Sequence, residues 1–176
     1  MTLTIREQRP DEWAGIRALI DRAFAPDPAA GLLAQWVHEH GPVLSLVAEE
    51  EDLRLVGQVL FGTLQLVNDD DAVDVLCLSP LSVEAEFRGR GIARALVRHA
   101  LAQLTDRPEP IVVLEGDPAL YGKLGFRPAS EFGIERPSDL IPEAAFQLVP
   151  LPAYRTGLRG QVRYPQYFFD IGAVGP

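Results

Sequence analysis

The sequence predicts an α+β protein built on a mixed sheet, and three observations carry that prediction. Two strand-like runs, 43–50 and 53–67, flank an acidic turn from Glu50 to Asp52, which is the pattern of an antiparallel hairpin. From Val73 to Gly125 strand, helix, strand and helix follow one another, which implies a right-handed parallel crossover at the sheet centre. At 176 residues, 47% hydrophobic and 23% charged, the chain suits one domain (1–176) with a full core and is too apolar to be disordered.

The elements follow in order. Alternation from Thr2 to Glu7 predicts a first strand. Pro10 and Asp11 suit the first turn of a helix, whose apolar stripe is Trp13, Ile16, Leu19, Ile20 and Ala23 and which "APDP" at 25–28 breaks. Residues 29–40 predict a second helix with Leu32, Leu33, Trp36 and Val37 inward, stopped at Gly41-Pro42. After the hairpin and the loop "NDDDA", the apolar run Val73 to Val83 predicts a buried central strand. Residues 91–104 have helical periodicity, with Ile92, Ala93, Leu96, Val97, Ala100, Leu101 and Leu104 inward. "IVVLEG" (111–116) is a short buried strand, and Asp117-Pro118 starts a helix that Gly125 ends. Two further strands are expected in the proline-rich tail, from 146 and from 160.

Composition excludes several classes. A net charge of -9 disfavours nonspecific nucleic-acid binding and mildly favours cationic small partners such as amines. The single Cys77 and the histidines at 38, 40 and 99 offer neither a disulfide nor a metal-ligand spacing, so no metal is expected. No apolar run has the length of a membrane span and "MTLTIREQRPDEW" lacks the apolar core of a signal peptide, so a cytoplasmic location is expected, with no membrane partner.

Against that acidic background the stretch "EFRGRGIARALVRHAL" (86–101) is anomalous, with Arg88, Arg90, Arg94 and Arg98 and no acid between 88 and 98. A buried strand here runs through a glycine-containing loop into a helix, the arrangement in which unpaired N–H groups and the helix dipole hold a phosphate. A Walker loop is excluded, because no Gly-Lys-Ser/Thr follows. A dinucleotide fingerprint is excluded too, because Arg94 stands where the third glycine would be. The pattern Arg/Gln-x-x-Gly-x-Gly/Ala of a coenzyme A pyrophosphate site fits Arg88, Gly91 and Ala93.

Together, "LSPLSVEAEFRGRGIARALVRHAL" (78–101) and "VVLEGDPALYGKLGFRPAS" (112–130) resemble the GNAT superfamily of acyl-CoA N-acyltransferases. Ala85 stands where many members have proline, Ala93 where glycine is more usual, and Leu114 where an asparagine is often found. The resemblance implies a three-layer α/β/α domain whose mixed, mostly antiparallel sheet has a splayed central parallel pair. It implies acetyl-CoA as cofactor, bound by the backbone of Leu81, Ser82 and Val83 and by the loop Arg88, Gly89, Arg90, Gly91, Ile92 and Ala93. The C-terminal part, about 129–176, would help shape the acceptor site. Tyr121 matches the general acid, and a phenol with a pKa of about 10 suits proton donation to a thiolate. Glu84 is the first candidate base, followed by Glu86, Glu115 and Asp117; Asp117 also reads as a helix cap. His38 and His40 suit a helix C-terminus, and Cys77 suits a core position.

The expected activity is acetyl transfer to a primary amine, cationic by preference, through direct attack in a ternary complex. The alternative is a non-catalytic acyl-CoA-binding sensor or scaffold, which would keep the phosphate cradle and need no acid. An edge strand near the C-terminus and the aromatic run "YPQYFF" (164–169) also allow a homodimer.

Overall fold

The computed structural model describes residues 3–69 and 71–175, which gather into two compact units, 3–62 with 78–103 and 63–77 with 104–175. Two long strands, β3 (Leu55–Asn68) and β4 (Asp71–Val83), contribute to both. The expected strand start at Thr2 and Asp70 of the "NDDDA" loop lie outside the described residues.

In the first unit β1 (Leu3–Glu7), β2 (Leu44–Glu50), β3 and β4 lie side by side in that order. The hairpin expected over 43–67 is present, with Leu44 opposite Phe61 and Ala48 opposite Gly57. The helices are α1 (Trp13–Phe24), α2 (Ala29–Glu39) and α3 (Ile92–Gln103). Two glycines of β3 show how they layer. A Cβ on Gly57 would lie 3.1 Å from Ile92 and 3.2 Å from Leu96, whereas one on Gly62 would lie 3.0 Å from Val37. Odd and even strand positions face opposite ways, so α3 covers one face of the sheet and α2 the other. On the α2 face, Ile16, Ile20, Ala34, Val37, Val47 and Leu60 form one apolar cluster, which brings α1 to the same side.

The helix faces differ in detail from the sequence expectation. Pro10 and Asp11 form a turn and α1 starts at Trp13, because the Glu12 carboxylate is tethered, accepting from Arg9 N–H (2.7 Å) and from Arg6 Nη1 (2.9 Å) and Nη2 (2.6 Å). In α2 the small residues Gly31 and Ala34 are buried, leaving Leu32 and Trp36 only half-buried. A Cβ on Gly31 would overlap the side chains of Asp21 and Arg17, so α2 turns its slim side toward α1. The buried stripe of α3 is narrower than expected, with Ala93 and Leu101 half-exposed.

In the second unit the order is β7 (Ile134–Glu135), β9 (Gly160–Arg163), β3, β4, β5 (Ile111–Glu115), β8 (Phe146–Pro150) and β6 (Arg127–Pro128). β4 and β5 form the expected parallel pair, registered at only Leu76–Val112 and Cys77–Val113. β5–β8, β6–β8 and β3–β9 are antiparallel. β7 runs parallel to β9, so the tail strand from 160 has neighbours on both sides and is not an open edge. The aromatic run lies partly in α5 (Gln166–Asp170), where Phe168 is buried. After β5, α4 (Pro118–Tyr121) continues as a 3₁₀ turn to Leu124, and Gly125 ends it in the left-handed conformation with φ 94°.

Candidate active site

In the first unit, β4 ends at Leu81, Ser82 and Val83. Gln58, fully buried on β3, donates from Nε2 to Ser82 Oγ (2.9 Å) and to the Pro80 carbonyl (3.2 Å). The Glu84 N–H continues the pairing, donating to Val56 O at 2.9 Å. A 3₁₀ turn, Ala85–Phe87, then buries Phe87, with the guanidinium groups of Arg54 and Arg90 over its ring at 5.2 and 5.0 Å.

The loop then opens. Gly89 and Gly91 have φ of 77° and 81°, values that favour glycine, and a Cβ on either would meet nothing within 4 Å. The first hydrogen bond of α3 runs from Ala95 N–H to Gly91 O at 3.0 Å. The N–H groups of Ile92, Ala93 and Arg94 precede it and have no helical acceptor. Open space over two left-handed glycines, facing free amides at the positive end of a twelve-residue helix, fits a pyrophosphate. Arg90, Arg94 and Arg98 are exposed.

Arg88 sits differently from its expected place among the cofactor contacts. Its Nε donates to Val83 O (3.2 Å) and its Nη2 to Ala23 O (2.7 Å), so the side chain holds the loop to α1. Glu84, the expected base, is nearly buried and accepts from Arg22 Nε (3.1 Å) and Nη2 (2.5 Å), both on its Oε1. Glu86 is exposed and paired with Arg54. His38 stacks on Trp13 at 3.9 Å, and His40 caps α2, its Nδ1 donating to Trp36 O at 2.8 Å. Both histidines thus serve the α1–α2 pair.

In the second unit Tyr121 closes α4, 8% exposed and edge-on to Phe126 at 5.7 Å. Its placement depends on Gly116, where a Cβ would lie 2.3 Å from the phenol ring. Burial pushes the phenol up to about 12, so it stays protonated across the physiological range. A neutral phenol keeps its O–H as a hydrogen-bond donor. Asp117 is the cap of α4, its carboxylate accepting from Ala119 N–H at 2.8 Å.

Glu115 is enclosed. Its carboxyl is pushed up by burial, an effect opposed by the Gly175 N–H (3.1 Å) and by Tyr164. Burial also pushes the Cys77 thiol up to about 12, which fits a core residue and not a nucleophile.

Arg22 and Gln58 are the site-forming residues that the sequence did not disclose. Arg22 lies 62 residues from its partner Glu84 and carries no local signal. Gln58 did carry one, being an amide set between apolar residues in a strand, where a buried polar side chain has to find partners.

Comparison with known proteins agrees with the geometry. Residues 4–129 match the acetyltransferase (GNAT) domain family. The uncharacterized N-acetyltransferase YhbS of Escherichia coli K12 is 32% identical over 167 residues, covering 94% of this chain and 98% of YhbS. The crystal structure of Escherichia coli YhbS in complex with CoA superposes with a TM-score of 0.84 over 95% of this chain and 92% of that one. A Brucella melitensis GNAT acetyltransferase in complex with acetyl-CoA, 27% identical, gives a TM-score of 0.74 over 95% of this chain and 98% of its own. With the family model spanning most of the chain and a relative 32% identical over nearly its whole length, the chain belongs to the GNAT family of acetyltransferases.

Proposed function

We propose that the protein transfers an acetyl group from acetyl-CoA to a primary amine by direct attack in a ternary complex. The observation that carries this is the loop of two left-handed glycines opening onto free helix amides, in a chain whose relatives at 32% and 27% identity were crystallised with CoA and acetyl-CoA. Bound acetyl-CoA supplies a thioester whose carbonyl carbon bonds to the amine nitrogen as its carbon–sulfur bond breaks. The chain's residues divide the remaining work. Within the loop 88–93 the main-chain N–H groups that follow Arg88 hold the diphosphate, and the backbone of Leu81–Val83 pairs with the pantetheine arm as an added strand. A backbone N–H near Val83 stabilises negative charge developing on the carbonyl oxygen. Tyr121 donates its proton to the departing thiolate. Glu84 Oε2, which carries neither of the Arg22 contacts, accepts a proton from the ammonium substrate, directly or through water.

The net charge of -9 supports a cationic amine as acceptor, and we place the reaction in the cytoplasm. Among the described residues no helix is long and apolar enough to cross a membrane. Thermal denaturation with and without acetyl-CoA is the first test. A ligand present at about 100 times its Kd raises stability by about 2.7 kcal/mol, and no shift at millimolar acetyl-CoA would rule the proposal out. An amine panel scored by thiol release then identifies the acceptor; tight CoA binding with no release on any amine would favour the sensor or scaffold instead.

A further inference from the structure

We propose that Arg22, Glu84 and Arg88 form a latch that ties the end of α1 to the cofactor loop, making Arg22 and Glu84 positioning residues for CoA. This rests on the assignment of 88–93 as the diphosphate site.

The contacts run in both directions between two short stretches. From α1, Arg22 places two nitrogens on Glu84 Oε1 at 3.1 and 2.5 Å. From the loop, Arg88 donates to Ala23 O at 2.7 Å and to Val83 O at 3.2 Å. Ala23 is the penultimate residue of α1, so its carbonyl has no N–H to accept from within the helix, and the guanidinium supplies both a donor and a positive charge at the negative end of the dipole. The Glu84 side chain is only 10% exposed, and Arg22, 58% exposed, is the cation that compensates it.

Arg88 immediately precedes Gly89, so the latch fixes the first residue of a segment whose two glycines would otherwise leave it conformationally free. Because the Arg88 guanidinium is engaged by two main-chain carbonyls, gripping the diphosphate falls to the amides that follow. Their alignment before CoA arrives is the kind of preorganisation that raises affinity by lowering the ordering cost of binding. Proton acceptance at Glu84 Oε2 and latching through Oε1 use different atoms, and CoA affinity reports only the second.

The test is calorimetric titration of the full chain with CoA, with the melting temperature of each variant measured in its absence. Arg22→Ala and Glu84→Ala are each expected to weaken CoA binding by about five- to tenfold, the range of ordinary coupling energies. The double variant should bind within about twofold of Glu84→Ala, because both substitutions break one contact. Glu84→Gln, which keeps an acceptor for Arg22, should recover part of the loss. Unchanged CoA affinity in Arg22→Ala, or losses that simply add in the double variant, would overturn the latch; if Glu84→Ala does not fold, Arg22→Ala decides alone. Failure of the unaltered chain to bind CoA is a separate result, and it would remove the cofactor assignment itself.

Discussion

The end of β4 and the end of β5 handle ionisable groups in opposite ways. At the end of β4, charge is kept and paired: Glu84 lies against Arg22, Arg88 caps α1, and Gln58 satisfies Ser82. At the end of β5 Glu115 and Tyr121, with Tyr164 beside Glu115, are desolvated, and burial pushes each of them up, toward its protonated form. If the first region holds the CoA diphosphate as proposed, on fixed backbone and supporting ion pairs, damage there should appear as lost affinity. The second keeps the Tyr121 phenol protonated through burial, so damage there should appear as lost rate.

The largest expected effect tests the second half of that contrast. Tyr121→Phe should lower turnover at saturating acetyl-CoA by about 100-fold or more, within the range for losing a general acid, while leaving the calorimetric Kd for CoA within about twofold. Full turnover in this variant would end the assignment of Tyr121 as acid. Next is Gly116→Ala, whose new methyl would collide with the Tyr121 ring. It should cost about 1–3 kcal/mol in denaturant unfolding and also slow turnover by displacing the phenol. A stability equal to that of the unaltered protein would show that the ring can move aside.

Gly91→Ala sharpens the first half. The methyl meets no protein atom within 4 Å, so the cost comes from holding alanine at φ 81°, about 1 kcal/mol, and from occupying the space over the loop. CoA affinity should fall in titration without the Tyr121-like loss of turnover at saturation. The smallest effect is in pH. Tyr121 titrates near 10 when unfolded and at about 12 when folded, so its contribution to stability is complete below pH 10 and is lost as the pH rises toward 12. Unfolding curves across that window should fall more steeply for the unaltered protein than for Tyr121→Phe.

Much of this architecture was legible before the structure was known. The hairpin, the crossover and the Asp117 cap each depend on near neighbours, where period, glycine and proline speak directly. The helix faces were less legible, because α2 presents Gly31 and Ala34 to α1 and lets Leu32 and Trp36 lie half-exposed. The two-residue strands β6 and β7 are too short to show a period, and β7 pairs with the tail strand from 160.

The candidate phosphate loop could be picked out from the chain alone, since a glycine-containing turn running into a helix is a property of six or seven consecutive residues. The resemblance of 112–130 to the GNAT family also marked Tyr121 as the candidate acid. Only the tertiary structure decided what Arg88 and Glu84 touch and how deeply Tyr121 is desolvated. Those depend on chain segments far apart in sequence, and the free energy of burying or pairing a charge is set by whatever the fold brings beside it.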